Sequence, residues 1–231
     1  MTKAALIVGA GSGISAAFAR ALARDGYRVA LAARDVDKLG SLSREIGATA
    51  HAADAADPGA VAALFAEVDR AFGRLDVVLY NASYRVRGPL LDLDPAEVRR
   101  SLEVTAYGGF LVGQAAARRM LAQGAGAIFF TGASASVKGY AQSAPFAMGK
   151  FALRGLAQAM ARELQGKGIH IAHFVIDGGV RNPQRGRPDD PAAPDSLLDP
   201  DAIARTYMAV LAQPRSAWSL EVELRPWVER F

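Results

Sequence analysis

The sequence predicts an α/β fold, a doubly wound parallel sheet with helices on both faces. Three observations carry this. Short apolar runs alternate with longer helical stretches along the whole chain, the order that strand–helix units produce. The runs are continuously apolar rather than alternating, as strands covered on both faces require. A glycine-rich turn at residues 9–13 lies between the first run and the first helical stretch, where a strand hands over to a helix.

The elements follow in order. Residues 4–8 read as a buried strand, then come the glycine turn and a helix through Asp25. Residues 27–32 are a second strand and residues 35–46 a second helix with Asp35 at its N-cap. A third strand ends near His51. Residues 58–72 form a helix with Asp57 as cap and Pro58 at the first helical position, where a missing N–H costs nothing. Residues 75–80 are a strand, and Asp94-Pro95 opens one long helix reaching about 123. Residues 127–131, 169–176 and 218–224 complete the strands, with helices over 144–165 and from Asp199-Pro200 onward. Residues 181–199, rich in Pro, Asp and Arg, are too long for an ordinary connection and read as a lid or substrate loop, or else as a surface excursion without function.

Bulk properties narrow the class. The 231 residues fit a single domain over 1–231, and 51% are hydrophobic, enough for a sizeable core. With no cysteine, disulfides, thiolate nucleophiles and thiolate metal sites are excluded. The first apolar run is too short for a signal peptide, and no stretch approaches the roughly 18 apolar residues that span a bilayer. No membrane partner is expected, and a cytoplasmic location is the default. The net charge of +4 is spread over scattered arginines, which suits an anionic cofactor and does not predict a nucleic-acid partner.

The glycine turn reads Val8-Gly9-Ala10-Gly11-Ser12-Gly13-Ile14. Glycines let the backbone approach a pyrophosphate, and the following helix offers unpaired N–H groups to it. A strand before and a helix after raise this above a chance match. At the end of the second strand Ala33 stands where an acid would hold an adenosine ribose 2′-hydroxyl, and Arg34 follows. An arginine there pairs with a 2′-phosphate, so NADP(H) is favoured over NAD(H). The alternative is that Asp35 takes the ribose.

Over nearly its whole length the sequence resembles the short-chain dehydrogenase/reductase family. Its TGxxxGIG motif is similar to residues 8–15, with Val8 for Thr and Ser15 for the last Gly. Asp54 matches the family's adenine-holding Asp, and Tyr80-Asn81-Ala82-Ser83 resembles NNAG, keeping Asn81 and Ala82. PGxVxT corresponds to Asp177-Gly178-Gly179-Val180-Arg181-Asn182. The resemblance implies a seven-stranded Rossmann-type sheet, NAD(P)(H), hydride transfer between carbonyl and alcohol on a small-molecule substrate, and homodimers or homotetramers built on the two long helices. It implies cofactor contacts from Gly9, Gly11, Ser12, Gly13, Ile14, Asp54, Asn81, Ala82, Lys150, Gly178 and the Val180 N–H.

The family's catalytic Asn, Ser, Tyr and Lys are matched at the lysine alone. Lys150 is kept, followed by Phe151-Ala152-Leu153, but YxxxK reads FxxxK with Phe146. The Ser position is Ala133, and the Asn position, set by Gly108 and Phe110, is Thr105. The tyrosine hydroxyl exchanges a proton with the substrate oxygen, a contribution typically about 10²–10⁴-fold. Phe146 has no proton to give, Ala133 cannot polarise a carbonyl, and Thr105 alters the water relay. Tyr140 is the foremost candidate for a displaced acid, although a loop aromatic more often packs. Ser134, Ser136, Ser143, Tyr84 and Tyr107 lie near the same segments, and Asp177 is either a base or a tie for the lid. His170 and His173, three apart on one strand, face opposite sides, so no metal site is expected. Two readings stay open: an oxidoreductase with non-standard proton chemistry, and a non-catalytic NADP(H)-binding protein acting as redox sensor or interaction partner.

Overall fold

The run Ala-Ala-Leu-Ile-Val forms strand β1 (Ala4–Val8), buried at every residue. A strand without a polar face must lie at the centre of a sheet covered on both sides, and β1 does. The computed structural model describes residues 2–229. The other strands are β2 (Arg28–Ala33), β3 (Thr49–Ala52), β4 (Val77–Tyr80), β5 (Gly126–Thr131), β6 (Ile169–Ile176) and β7 (Glu221–Leu224). They form one seven-stranded sheet in the order β3-β2-β1-β4-β5-β6-β7, every neighbouring pair parallel.

Helices cover both faces. They are α1 (Ile14–Arg24), α2 (Gly40–Ile46), α3 (Pro58–Phe72), α4 (Pro95–Leu102), α5 (Gly108–Gln123), α6 (Ala144–Leu164) and α7 (Pro200–Leu211). Alternate β1 residues enter the two cores. Leu6 and Val8 pack with Phe65 of α3, Val112 of α5 and Leu153 of α6. Ala5 and Ile7 pack with Phe18 and Leu22 of α1 and Tyr207 of α7. Asp57, Asp94 and Asp199 cap α3, α4 and α7, each followed by a proline. The chain winds outward from β1 to β3, then restarts at β4 on the other side. Ligands of open α/β sheets bind at such a reversal, beyond the carboxyl ends of the strands.

Four boundaries differ from expectation by more than one residue. Asp35 does not cap a helix: its carboxylate pairs with Lys38 at 2.7 Å, and a 3₁₀ turn (Asp37–Leu39) precedes α2. Residues three apart eclipse in such a turn, which suits that pair. Leu75 lies outside β4 because the Gln123 side chain takes its N–H and C=O at 2.9 and 2.8 Å. Trp218 precedes β7, stacking on His170 with centroids 4.7 Å apart and donating to the Gln213 carbonyl. Most consequential, the long helix after Asp94 is interrupted by a π-helical turn, Glu103–Tyr107. The Tyr80 hydroxyl donates to the Val104 carbonyl and draws it out of the regular ladder. Of the C-terminal aromatics Trp218, Trp227 and Phe231, expected to cover the last strand or an oligomer interface, Trp227 is 80% exposed and does not cover β7, and Phe231 lies outside the described residues.

Candidate functional site

At the carboxyl end of β1 the chain must turn beneath β4. Gly9 has φ +80°, and a Cβ there would lie 2.3 Å from the Ala82 nitrogen. Only glycine fits. The Asn81 N–H donates to the Val8 carbonyl at 2.8 Å, and its side-chain amide donates to Ser15 Oγ at 2.8 Å. Ser15 in turn donates to the Gly9 carbonyl at 3.1 Å. Ser15 thus ties the loop to β4. The α1 N-terminus has Gly13 as cap, no capping side chain and no acid in its first turn. Its N–H groups and positive dipole therefore face the cleft unneutralised, as an anion site requires. Gly11, Ser12 and Ile14 line the same turn.

Arg34 and Asp54 both lie exposed beyond the ends of β2 and β3. Asp54 Oδ1 accepts from the Ala56 N–H at 3.0 Å, fixing its turn. Asp35 is held by Lys38, which keeps its carboxyl below the usual range.

Thr105, Phe146 and Lys150 come together. Lys150 is buried and donates from Nζ to the Thr131 carbonyl, two residues before Ala133, at 2.7 Å. Burial pushes its ammonium down to about 8. Phe146, one turn earlier on α6, has Lys150 Nζ 5.7 Å from its ring centroid and the Arg85 guanidinium carbon at 4.9 Å. Both lie within cation–π range. Thr105 sits in the π turn, where a Cβ on Gly149 would lie 2.9 Å from its Cβ. Its hydroxyl accepts from the Tyr84 N–H at 3.2 Å. Ala133 is extended, and its N–H donates to Ser136 Oγ at 3.1 Å.

Beyond β6, Gly178 has φ +150°, and a Cβ there would meet Pro226 at 2.6 Å. The Gly179 carbonyl and the Arg181 N–H both bond Leu198, at 2.7 and 2.9 Å, one on either side of Val180. Segment 181–199 then crosses the glycine loop. The Asn182 amide donates to Ser12 Oγ at 3.1 Å, and Arg181 is paired with Asp189 at 3.2 Å and Asp199 at 2.5 Å.

Several replacement candidates are engaged elsewhere. Asp177 is buried with Lys138 at 3.5 Å and Arg225 at 3.3 Å; both partners lie outside segment 181–199, so these pairs join the ends of β5 and β7 and do not tie the lid. The Tyr84 hydroxyl donates to Glu97 at 2.6 Å, and that bond raises its pKa. Tyr107 stacks on Phe110 at the surface. Tyr140 is 47% exposed on the turn before α6. His51 bridges Glu67 and Thr49 at 2.7 and 2.9 Å, a surface tie. His173 is buried beside Glu221 at 3.3 Å, and burial lowers it to about 4. Among the described residues no cluster of three or more His, Cys, Asp or Glu could hold a metal, and no helix is long and apolar enough to cross a membrane. Sequence reasoning missed Arg85, whose place above Phe146 brings together positions 61 residues apart and leaves no local pattern.

Sheet order, glycine turn and helix-borne lysine define a doubly wound α/β protein with a nucleotide-type cleft. The short chain dehydrogenase family model matches residues 3–184. The chain is 34% identical to cis-4-hydroxycyclohexanecarboxylate dehydrogenase of Sinomonas cyclohexanicum, over 91% of this chain and 94% of that one. A solved short-chain dehydrogenase from Rhodopseudomonas palustris is similar at TM-score 0.84 and 36% identity, over 97% and 99% of the two chains. An alcohol dehydrogenase from Thermococcus sibiricus, solved with 5-hydroxy-NADP, is similar at TM-score 0.87 and 29% identity, over 100% and 99%. The chain belongs to the short-chain dehydrogenase family.

Proposed function

We propose that this protein is an NADP(H)-binding oxidoreductase that keeps its cofactor contacts and has lost the family's usual acid–base apparatus. The observation that carries it is the pairing of an uncapped α1 N-terminus and a Gly9 cradle that admits no Cβ with Phe146 one turn before a buried Lys150. These residues fit a dinucleotide. Gly9, Gly11, Ser12, Gly13 and Ile14 would hold its pyrophosphate, Asp54 its adenine, and Asn81, Ala82, Gly178 and Val180 its nicotinamide half. Arg34 favours the 2′-phosphate, a preference consistent with the NADP analogue in the Thermococcus relative. When bound, the cofactor supplies a hydride.

The protein's own part is to orient and to handle a proton. Lys150 Nζ, now on the Thr131 carbonyl, is the retained group that would reach a nicotinamide ribose. Phe146 and Ala133 supply no hydroxyl, so the tyrosine and serine roles are vacant, and Thr105 is committed to the Tyr84 loop. Tyr140 remains the sole tyrosine on the turn leading into α6 and the candidate for a displaced acid. Segment 181–199, clipped to Ser12 by Asn182, serves as the lid. A second reading rests on the same vacancies: a protein that binds NADP(H) without turnover, as sensor or partner. We assign a homodimer or homotetramer in either case.

Calorimetry with NADPH and NADH, followed by a carbonyl and enone panel monitored by NADPH oxidation, separates the readings. Tight NADPH binding with turnover of an enone or carbonyl supports the oxidoreductase. Binding without any turnover selects the second reading, and tighter NADH than NADPH binding overturns the Arg34 assignment.

A further inference from the structure

The cleft mouth carries a concentration of positive charge that the proposed chemistry does not use. Several arginines elsewhere pair with carboxylates, Arg20 with Glu45, Arg74 with Asp76, Arg119 with Asp69 and Arg154 with Glu221, while others, such as Arg34, Arg70 and Arg205, stand singly at the surface. Arg85, Arg87 and Arg187 make no ion pair among the described residues. They lie near one another instead, and the Arg85 guanidinium is held down by burial first and then by repulsion from Arg87 and Arg187. The Arg85 guanidinium carbon lies 4.9 Å from the Phe146 ring centroid, and Lys150 Nζ lies 5.7 Å from the same centroid.

This placement is held by the backbone. The Tyr84 N–H donates to Thr105 Oγ1 at 3.2 Å, and its carbonyl accepts from Ser101 Oγ at 2.8 Å. The Gly88 N–H donates to the Gln142 carbonyl at 3.1 Å. Arg85 and Arg87 therefore project from a strap bonded before and after them, to the π turn, α4 and the segment leading into α6. Arg187 comes from the lid, paired through its backbone with Asn182 at 2.8 and 3.0 Å. Three guanidinium forks without a counter-charge, two on a fixed strap and one on a movable lid, match the planar oxygens of an anion.

We propose that Arg85, Arg87 and Arg187 form an anion-recognition site at the mouth of the cleft, so that the substrate lying against Phe146 carries a carboxylate or a phosphate monoester. This rests on the reading of the cleft as a substrate site. It differs in role from Arg34, which follows β2 and is assigned to the 2′-phosphate, although Arg34 also acts electrostatically on the Tyr84 hydroxyl. Anion binding would relieve the repulsion among the three and draw Arg187, with the lid, toward the strap.

The test uses matched pairs at saturating NADPH: acetoacetate against methyl acetoacetate, and dihydroxyacetone phosphate against dihydroxyacetone. Binding is read by calorimetry, whether or not turnover follows. We expect the charged member of one pair to bind about ten-fold tighter or more, a typical gain for charge-assisted guanidinium contacts, and added NaCl to weaken it. Arg85→Gln, Arg87→Gln and Arg187→Gln should each reduce that preference several-fold, with NADPH titration of each variant reporting an intact fold. The pair that discriminates tells carboxylate from phosphate. Equal binding within both pairs, no binding of any member, or a preference untouched by all three substitutions overturns the proposal. If NADPH fails to bind while the Arg85-dependent preference persists in the free protein, the cofactor reading falls and the arginine site stands.

Discussion

Lys150 concentrates the energetic tension of the site. It is buried with no carboxylate in ion-pair range among the described residues, its ammonium held by the Thr131 carbonyl at 2.7 Å and lowered to about 8 by burial. An unfolded lysine titrates near 10.4. Between about pH 8 and that value the unfolded chain binds more protons than the native one, so stability contributed through this group rises with pH across the window. Below pH 8 the full cost of the buried ammonium is present. Lys150→Met should therefore stabilise the cofactor-free protein at pH 7 by about 2 kcal/mol, a shift of roughly 3 kcal/mol less about 1 for the lost hydrogen bond. The advantage should shrink toward pH 10. Urea unfolding of both proteins at pH 7 and 10 checks it; a variant less stable at pH 7 would show that the carbonyl contact outweighs the burial. Phe146 invites a second substitution. Phe146→Tyr alone should not bring ketone reduction to the level of ordinary family members, because Ala133 and Thr105 remain; NADPH oxidation with a ketone panel measures this, and strong activity would show those positions to be dispensable.

The elements were legible where backbone geometry dictates residue type. The glycine turn could be read because a strand-to-helix handover under β4 needs positive φ at Gly9, and the Asp-Pro starts of α3, α4 and α7 because capping chemistry is local. The π turn was not legible, since its cause is the Tyr80 hydroxyl acting on Val104 from 24 residues away. For the same reason Thr105 could be aligned but its bond to Tyr84 could not be foreseen. Two glycines give a direct test of close approach. Gly9 and Gly26 share φ near +80°, yet a Cβ on Gly26 meets nothing within 4 Å, whereas one on Gly9 strikes the Ala82 backbone. Gly26→Ala should cost about 1 kcal/mol for the left-handed conformation alone. Gly9→Ala should cost at least about 2 kcal/mol more through forced backbone displacement, and should abolish NADPH binding. Denaturant melts and calorimetry on the pair decide it; equal costs would mean that β4 yields to the added methyl.

At the scale of the whole molecule, the sheet reversal at β1 and β4 places the glycine turn, the Tyr84 strap, Lys150 and segment 181–199 around one cleft, while exposed apolar side chains stand on α5 and α6. Met148 and Phe151 lie on one face of α6, 49% and 44% exposed, and Phe110 and Leu121 share a face of α5, 41% and 39% exposed. Residues three or eleven apart fall on one side of a helix. Large exposed apolar side chains grouped this way mark an association surface more than a solvated one. A two-fold assembly would bury the same patch on both chains, so one substitution acts twice. Phe151→Glu places a charge on each side of that contact and leaves Phe146 and Lys150, the α6 residues assigned to the cleft, unchanged. The expected result in light scattering at micromolar concentration is a wild-type mass of two or four chains and a Phe151→Glu mass of fewer, with NADPH still bound by the variant. An unchanged mass would move the interface away from α6, and the exposed Leu90 and Leu91 before α4, 73% and 94% exposed, would then be the next surface to charge.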